Sequence, residues 1–244
     1  MISCGSKVSK EDLTAEEAFH RALKEFDRGK YLNAVDQLTL VTFNYSGSAI
    51  IDSAQYYLAE SHFKMKEYLL AAAEYERLSN HFPYSPLVDD ARYKIGMCYY
   101  ELSPKYPLDQ EYTYQAIEQF QRFTEDYPDS PLLPEVLDKI HKSRAKLARK
   151  TFKSGELYFK MKDYPSVVIY MDEVLDFYYD TEFAPRALLF KGDSYQRMKR
   201  FSEAEEVYRK LIEKYPKSRE AETAVFNLSD MAEIEAEAER EESE

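Results

Sequence analysis

The sequence predicts an all-α fold, five helical hairpins followed by a C-terminal helix, and three observations lead there. The first is repetition. Ala34, Ala71, Ala116, Val167 and Ala204 are each followed four residues later by Leu38, Tyr75, Phe120, Met171 and Tyr208, then three further on by Val41, Leu78, Phe123, Val174 and Leu211. Steps of four and three put each trio on one face of a helix. The second is punctuation. Pro83, Pro128 and Pro216 each stand twelve residues after the small residue of their repeat, where a Pro ends a helix because it has no N–H and clashes with the preceding turn. The third is composition. Six Gly, ten Pro and no Trp in 244 residues, 44% of them hydrophobic and 32% charged, suit packed helices and leave few Gly for the turns of a sheet.

Each element has its own signal. Residues 1–13 form a polar lead expected to be flexible. Thr14 stands three residues before Glu17, the spacing of a capping box, so a helix starts there; Gly29 ends it and Tyr31 opens its partner. The second pair covers about 50–82, the third 87–127, the fourth 133–179 and the fifth 184–215, and a last helix begins near Arg219. In the first helix of each pair stand Ala22, Ala59, Gly96, Gly155 and Gly192, small residues that let the two helices approach closely. The closing text is Phe82-Pro83-Tyr84-Ser85, Tyr127-Pro128-Asp129-Ser130 and Tyr215-Pro216-Lys217-Ser218, with Tyr45-Ser46 and Tyr178-Tyr179 as copies lacking the Pro.

Two units are longer than the others. In the third, Leu102 to Gln110 contains Pro104 and Pro107 and reads as a loop. The fourth opens with an unbroken helical pattern from Glu135 to Met161, about 40 Å long at 1.5 Å per residue. It is expected to join an N-terminal block, residues 14–131 with repeats one to three, to a C-terminal block, residues 132–231 with repeats four and five. The acidic tail, residues 232–244, favours helix without an apolar face and reads as a solvated capping segment.

Charge and inventory exclude several functions. A net charge of −12, from 45 acidic against 33 basic residues, argues against nucleic acid, whose phosphates need a basic face. The expected partner is a protein or peptide. His20, His62, His81 and His141 are scattered, and no metal-ligand, Cys-x-x-Cys or phosphate-loop spacing occurs, so no catalytic residue, metal or cofactor is expected. Cys98 lies in an apolar stretch and reads as a buried free thiol. Asp89-Asp90 and Glu205-Glu206 read as solvated helix faces. No apolar run approaches the roughly 20 residues that span a bilayer. Met1-Ile2-Ser3-Cys4-Gly5-Ser6 resembles the last letters of a bacterial lipoprotein signal, which makes Cys4 the candidate lipid-attachment site and a lipid anchor the expected membrane contact. An accidental near-terminal cysteine is the alternative.

Aromatic residues recur in the first helices. Phe19, Tyr56, Tyr93 and Phe152 stand at one repeat position, with Leu189 in the fifth unit. Phe26, Phe63, Tyr100 and Phe159 stand at another, with Gln196 in the fifth. Such a ladder can hold a peptide, because flat amphipathic rings give large contact area with few rotatable bonds. Packing within and between repeats is the other reading. The peptide-groove candidates are Phe19, Phe26, Tyr56, Phe63, Tyr93 and Tyr100, with Lys64 or Arg92 placed to neutralise a carboxylate.

These small, aromatic and Pro positions resemble the tetratricopeptide repeat, which implies five hairpins in a right-handed superhelix. Where the carboxylate clamp of cytosolic chaperone adaptors wants Lys, this chain has Phe19, Tyr56 and Tyr93; where it wants Asn, the chain has Leu23, Glu60 and Met97. The longer pattern is more specific. Asp109-Gln110 leads into Ala116-Ile117 and Phe120, then Tyr127-Pro128-Asp129-Ser130, then Lys146-Leu147-Ala148-Arg149 before Gly155-Glu156-Leu157-Tyr158. That order resembles the BamD family of lipoproteins of the bacterial outer-membrane β-barrel assembly machinery, with Thr151 where the family usually has an acid and Gly155 where it has Ala. The resemblance implies a non-enzymatic scaffold on the periplasmic face of the outer membrane, lipid-anchored through Cys4. Its implied partners are a BamA-like barrel protein, held by its POTRA region on the C-terminal repeats, and the C-terminal targeting strand of unfolded outer-membrane proteins, held by the N-terminal block. Other lipoproteins of the assembly complex are implied partners too. The alternatives are another periplasmic repeat protein of the envelope, coordinating cell division or Tol-Pal, and a cytosolic chaperone adaptor.

Overall fold

The computed structural model describes residues 13–243, and among these the regular structure is eleven α-helices with no strand. Five pairs follow in order: α1 (Ala15–Asp27) with α2 (Tyr31–Asn44), α3 (Ile51–Lys64) with α4 (Tyr68–His81), α5 (Val88–Leu102) with α6 (Glu111–Asp126), α7 (Leu133–Lys160) with α8 (Tyr164–Phe177), and α9 (Phe183–Arg197) with α10 (Phe201–Lys214). Helix α11 (Arg219–Ser243) follows. The chain forms two compact units. One holds residues up to 103 together with 112–137, the other 104–111 together with 138 onward.

The repeating trios are the core. All fifteen side chains, from Ala34, Leu38 and Val41 to Ala204, Tyr208 and Leu211, are buried. Opposite them lie the small residues of the first helices. A Cβ added to Gly96 would meet the Phe120 ring at 2.5 Å, and one on Gly155 or Gly192 would run into Met171 or Tyr208. A large side chain on one helix therefore fills the space left by Gly or Ala on its partner, which sets how closely each hairpin closes. At Gly155 the space is filled by the unbranched Met171 side chain.

Helix ends repeat as exactingly as the core. Thr14 accepts from the Glu17 N–H at 3.2 Å, while the Thr14 N–H donates to Glu17 Oε2 at 2.9 Å, which completes the capping box. Four first helices end in a left-handed residue: Gly29 (φ 72°), Lys66 (63°), Lys162 (61°) and Lys199 (60°). The following N–H groups of Lys30, Glu67, Asp163 and Arg200 reach back to Glu25, His62, Tyr158 and Tyr195 carbonyls at 2.9–3.0 Å, which satisfies the last turn. The second helices end at an aromatic residue. Tyr45, Phe82, Tyr127, Tyr178 and Tyr215 each donate an N–H four residues back and then accept the N–H of Ser48, Ser85, Ser130, Thr181 or Ser218. Pro follows in only three of the five, so the aromatic-to-hydroxyl turn sets the helix stop and Pro reinforces it.

One sequence reading is corrected here. Asp89 and Asp90 are half-buried rather than solvated, because the hydroxyl of Ser130, which opens the next repeat, donates to Asp89 at 3.1 Å. Ser85 donates to Asp52 at 2.6 Å in the same way one repeat earlier. Glu205 and Glu206 are exposed. Cys98 is a buried free thiol, and burial pushes it up to about 12, so it stays protonated and unreactive at neutral pH.

Candidate functional site

In the first unit the aromatic positions of α1, α3 and α5 turn their faces to other rings. Phe19 and Phe26 both meet Tyr57, at 6.0 and 5.2 Å between centroids, and Phe26 also meets Tyr31 at 5.4 Å. Tyr56 lies edge-on to Tyr75 at 5.7 Å and Phe63 to Tyr68 at 5.2 Å. Tyr93 and Tyr100 flank Phe120 at 6.1 and 6.5 Å, and the Tyr93 hydroxyl donates to Glu135 at 2.5 Å. Edge-to-face contacts of this kind hold hairpins together. Phe19 and Tyr93 retain 8% and 7% of their surface, too little to offer a ring face to a ligand, so their expected role as groove residues is corrected to packing. Phe26, Tyr56, Phe63 and Tyr100 are half-buried. Lys64 is exposed. Arg92 is half-buried, and its Nε is buried without a hydrogen-bond acceptor. Cys4 lies outside the described residues.

A group that the sequence did not reveal ties this ladder to charge. Glu60, 7% exposed, accepts the Tyr75 hydroxyl and an ion pair from Lys94 at 2.5 Å, and Lys94 Nζ sits 4.9 Å over the Phe63 ring. Burial, with the Glu60 charge second, raises Tyr56 and Tyr75 well above the ordinary tyrosine range. The second unit contains a parallel group. Tyr208 donates to Asp193 at 2.7 Å, Asn227 Nδ2 donates to the same oxygen at 3.0 Å, and burial raises the Asp193 carboxyl above its ordinary value. The signal was present in the sequence: an acid follows the small residue in both first helices, as Ala59-Glu60 and Gly192-Asp193, with Tyr fifteen residues on.

The second unit also holds a cavity of about 660 Å³. Its walls come from the 104–111 segment, α7 and α9. The segment is folded by Gln110, whose side-chain amide donates to the Lys105 and Leu108 carbonyls at 3.0 Å, and is fastened to α7 by Lys150 Nζ on Leu108 O at 2.9 Å. On α7, Thr151 donates to Glu173 of α8 at 3.2 Å. Among the described residues, no three His, Cys, Asp or Glu side chains gather as a metal site requires, and no helix is long and apolar enough to cross a membrane.

Stacked hairpins with this register of small and aromatic residues define a tetratricopeptide-like repeat protein. A family model described as YfiO, outer membrane lipoprotein, matches residues 11–210, and the chain belongs to that family. Among curated relatives it is similar to the outer membrane protein assembly factor BamD of Rickettsia prowazekii, 24% identical over 88% of this chain and 87% of that one. It is also similar to BamD of Pasteurella multocida, 21% identical over 81% and 80%. Among solved structures, the TPR2AB domain of yeast Sti1 in complex with pHSP90 is 16% identical, with 90% of this chain and 86% of that one covered and a TM-score of 0.45.

Proposed function

We propose that this chain is a non-enzymatic scaffold lipoprotein of outer-membrane β-barrel assembly, anchored by an acyl group at Cys4 on the periplasmic face. The observation that supports it furthest is the family match over residues 11–210, together with BamD relatives aligned over most of their length. In this reading the C-terminal repeats hold the POTRA region of a BamA-like barrel protein. Support comes from α8 and α11, which leave Ile169, Phe177 and Phe226 exposed by 68%, 63% and 71% on helices whose opposite faces are already buried; unpartnered apolar side chains of this size suit a protein interface. The N-terminal block takes the targeting strand of an unfolded outer-membrane protein. Its terminal aromatic ring meets the half-buried edges of Phe26, Tyr56, Phe63 or Tyr100, and Lys64 or Arg92 answers its carboxylate.

Two titrations test this. A soluble POTRA fragment should bind the wild-type chain saturably and bind the Ile169→Asp, Phe177→Asp variant at least tenfold more weakly. A peptide ending in Phe should lose affinity several-fold on Lys64→Glu and on amidation of its C-terminus. No binding of the POTRA fragment to the wild-type chain contradicts the scaffold role; equal binding of acid and amide peptides contradicts the N-terminal site alone.

A further inference from the structure

The cavity of the second unit has a chemistry that the assembly reading does not use. Its lining contains the cations Lys105, Lys142, Lys146, Arg149, Lys153 and Arg186 against a single acid, Glu182, in a chain whose acidic residues outnumber basic ones by 45 to 33. Two of these cations are held by rings. The Arg149 guanidinium lies 4.4 Å over Tyr106, and that of Arg186 lies 4.5 Å over Phe152 and 5.3 Å from the Phe183 centroid. Neither forms an ion pair with a carboxylate among the described residues, although the Glu156 carboxyl is held below its ordinary value by the Lys153 hydrogen bond and, to a lesser degree, by the Arg186 charge nearby. A guanidinium held over a ring keeps its N–H donors, and a planar fork of donors can take a carboxylate through two parallel hydrogen bonds. Lys142 and Lys153 pair with Asp138 and Glu156, so they add field rather than open donors. Tyr106, Pro107 and Phe183 make the rest of the wall apolar.

We propose that this cavity binds an extended acidic polypeptide segment carrying an aromatic or large aliphatic side chain. The apolar side chain enters against Tyr106 and Pro107, which keep exposed surface, and flanking carboxylates meet Arg149 and Arg186. The volume, about 660 Å³, accommodates a few side chains. A phosphate headgroup would satisfy the cations but leave the ring-lined wall uncovered.

The test is fluorescence anisotropy of the full chain with a labelled dodecapeptide of Asp, Glu, Ser and two Phe. Comparisons are the same peptide with Asn and Gln for its acids, and vesicles of phosphatidylglycerol. Saturable binding to the acidic peptide is expected, weakened at least tenfold by Arg149→Glu with Arg186→Glu, weakened also by Lys105→Glu on the exposed segment, and unchanged by Arg209→Glu on α10. Circular dichroism melting checks that each variant is folded. Three results overturn the proposal: no saturable binding, equal binding of the uncharged peptide or of the Lys105→Glu and double variants, or binding of vesicles without binding of peptide. No barrel partner or Phe-terminated peptide enters this titration, so its failure leaves the scaffold role untouched.

Discussion

Tyr208 donates its hydroxyl hydrogen to Asp193 at 2.7 Å across the fifth hairpin, and the two are fifteen residues apart, as are Glu60 and Tyr75 in the second. Each pair lets a repeat bury a large tyrosine at its centre without leaving the hydroxyl unsatisfied, since an unpaired buried hydroxyl is more costly than the bond is stabilising. The two pairs differ in what balances the acid. Glu60 has the Lys94 ammonium at 2.5 Å, whereas Asp193 has the neutral Asn227 amide at 3.0 Å and the Arg197 charge, which together do not offset its burial.

That difference gives a pH prediction. Burial raises the folded-state pKa of Asp193 above 3.8, its ordinary value, so the folded chain holds this proton more tightly than the unfolded one. The contribution of Asp193 to stability therefore falls as pH rises from about that ordinary value through the raised one. Asp193→Asn keeps an oxygen to accept from both Tyr208 and Asn227 and removes the titration. In urea unfolding, the stability of wild type relative to Asp193→Asn should decline between pH 4 and pH 7. Tyr208→Phe should lose about 1–2 kcal/mol at both.

Lys94 is predicted to be the most sensitive charge of the first unit. Lys94→Met strands Glu60, whose side chain is 9% exposed, and should destabilise by about 2–3 kcal/mol, below the full cost of breaking a buried pair because Lys94 itself is partly exposed. Adding Glu60→Gln should recover part of the loss, since a neutral amide still accepts from Tyr75. A double-mutant cycle by chemical denaturation measures the coupling.

The glycines and the left-handed lysines should respond in opposite directions. Gly192→Ala drives a methyl into the Tyr208 ring, and Gly96→Ala drives one into Phe120; each should lower stability by about 1–3 kcal/mol. Lys199 is exposed at φ 60° where the first hairpin has Gly29. Lys199→Gly should raise stability by up to about 1 kcal/mol, read as a shift in thermal midpoint.

Most of the fold was legible because its determinants are local and repeated. Trios at four-and-three spacing and small residues in the first helices recur five times, as do the turns from an aromatic residue to Ser or Thr, and the helix limits they indicate lie within a few residues of those observed. The candidate sites were less legible because they depend on what faces what. Spacing put Phe19 and Tyr93 at ladder positions but could not show that their faces are covered by Tyr57 and by Phe120. The loop around Pro104 and Pro107 was evident, yet its place against α7 rests on Lys150 and Gln110, polar contacts that leave no periodic trace. The basic cavity was hidden for the same reason: Lys105, Arg149 and Arg186 are far apart in sequence, inside an acidic chain.

The most direct measurement is affinity purification of the tagged chain, expressed with its native signal in a bacterium that supplies the assembly machinery, followed by mass spectrometry of both the chain and what accompanies it. An acylated Cys4 and stoichiometric recovery of a large barrel protein with POTRA domains are predicted. An unmodified Cys4, or recovery of cytosolic chaperones with no barrel protein, would contradict the scaffold role.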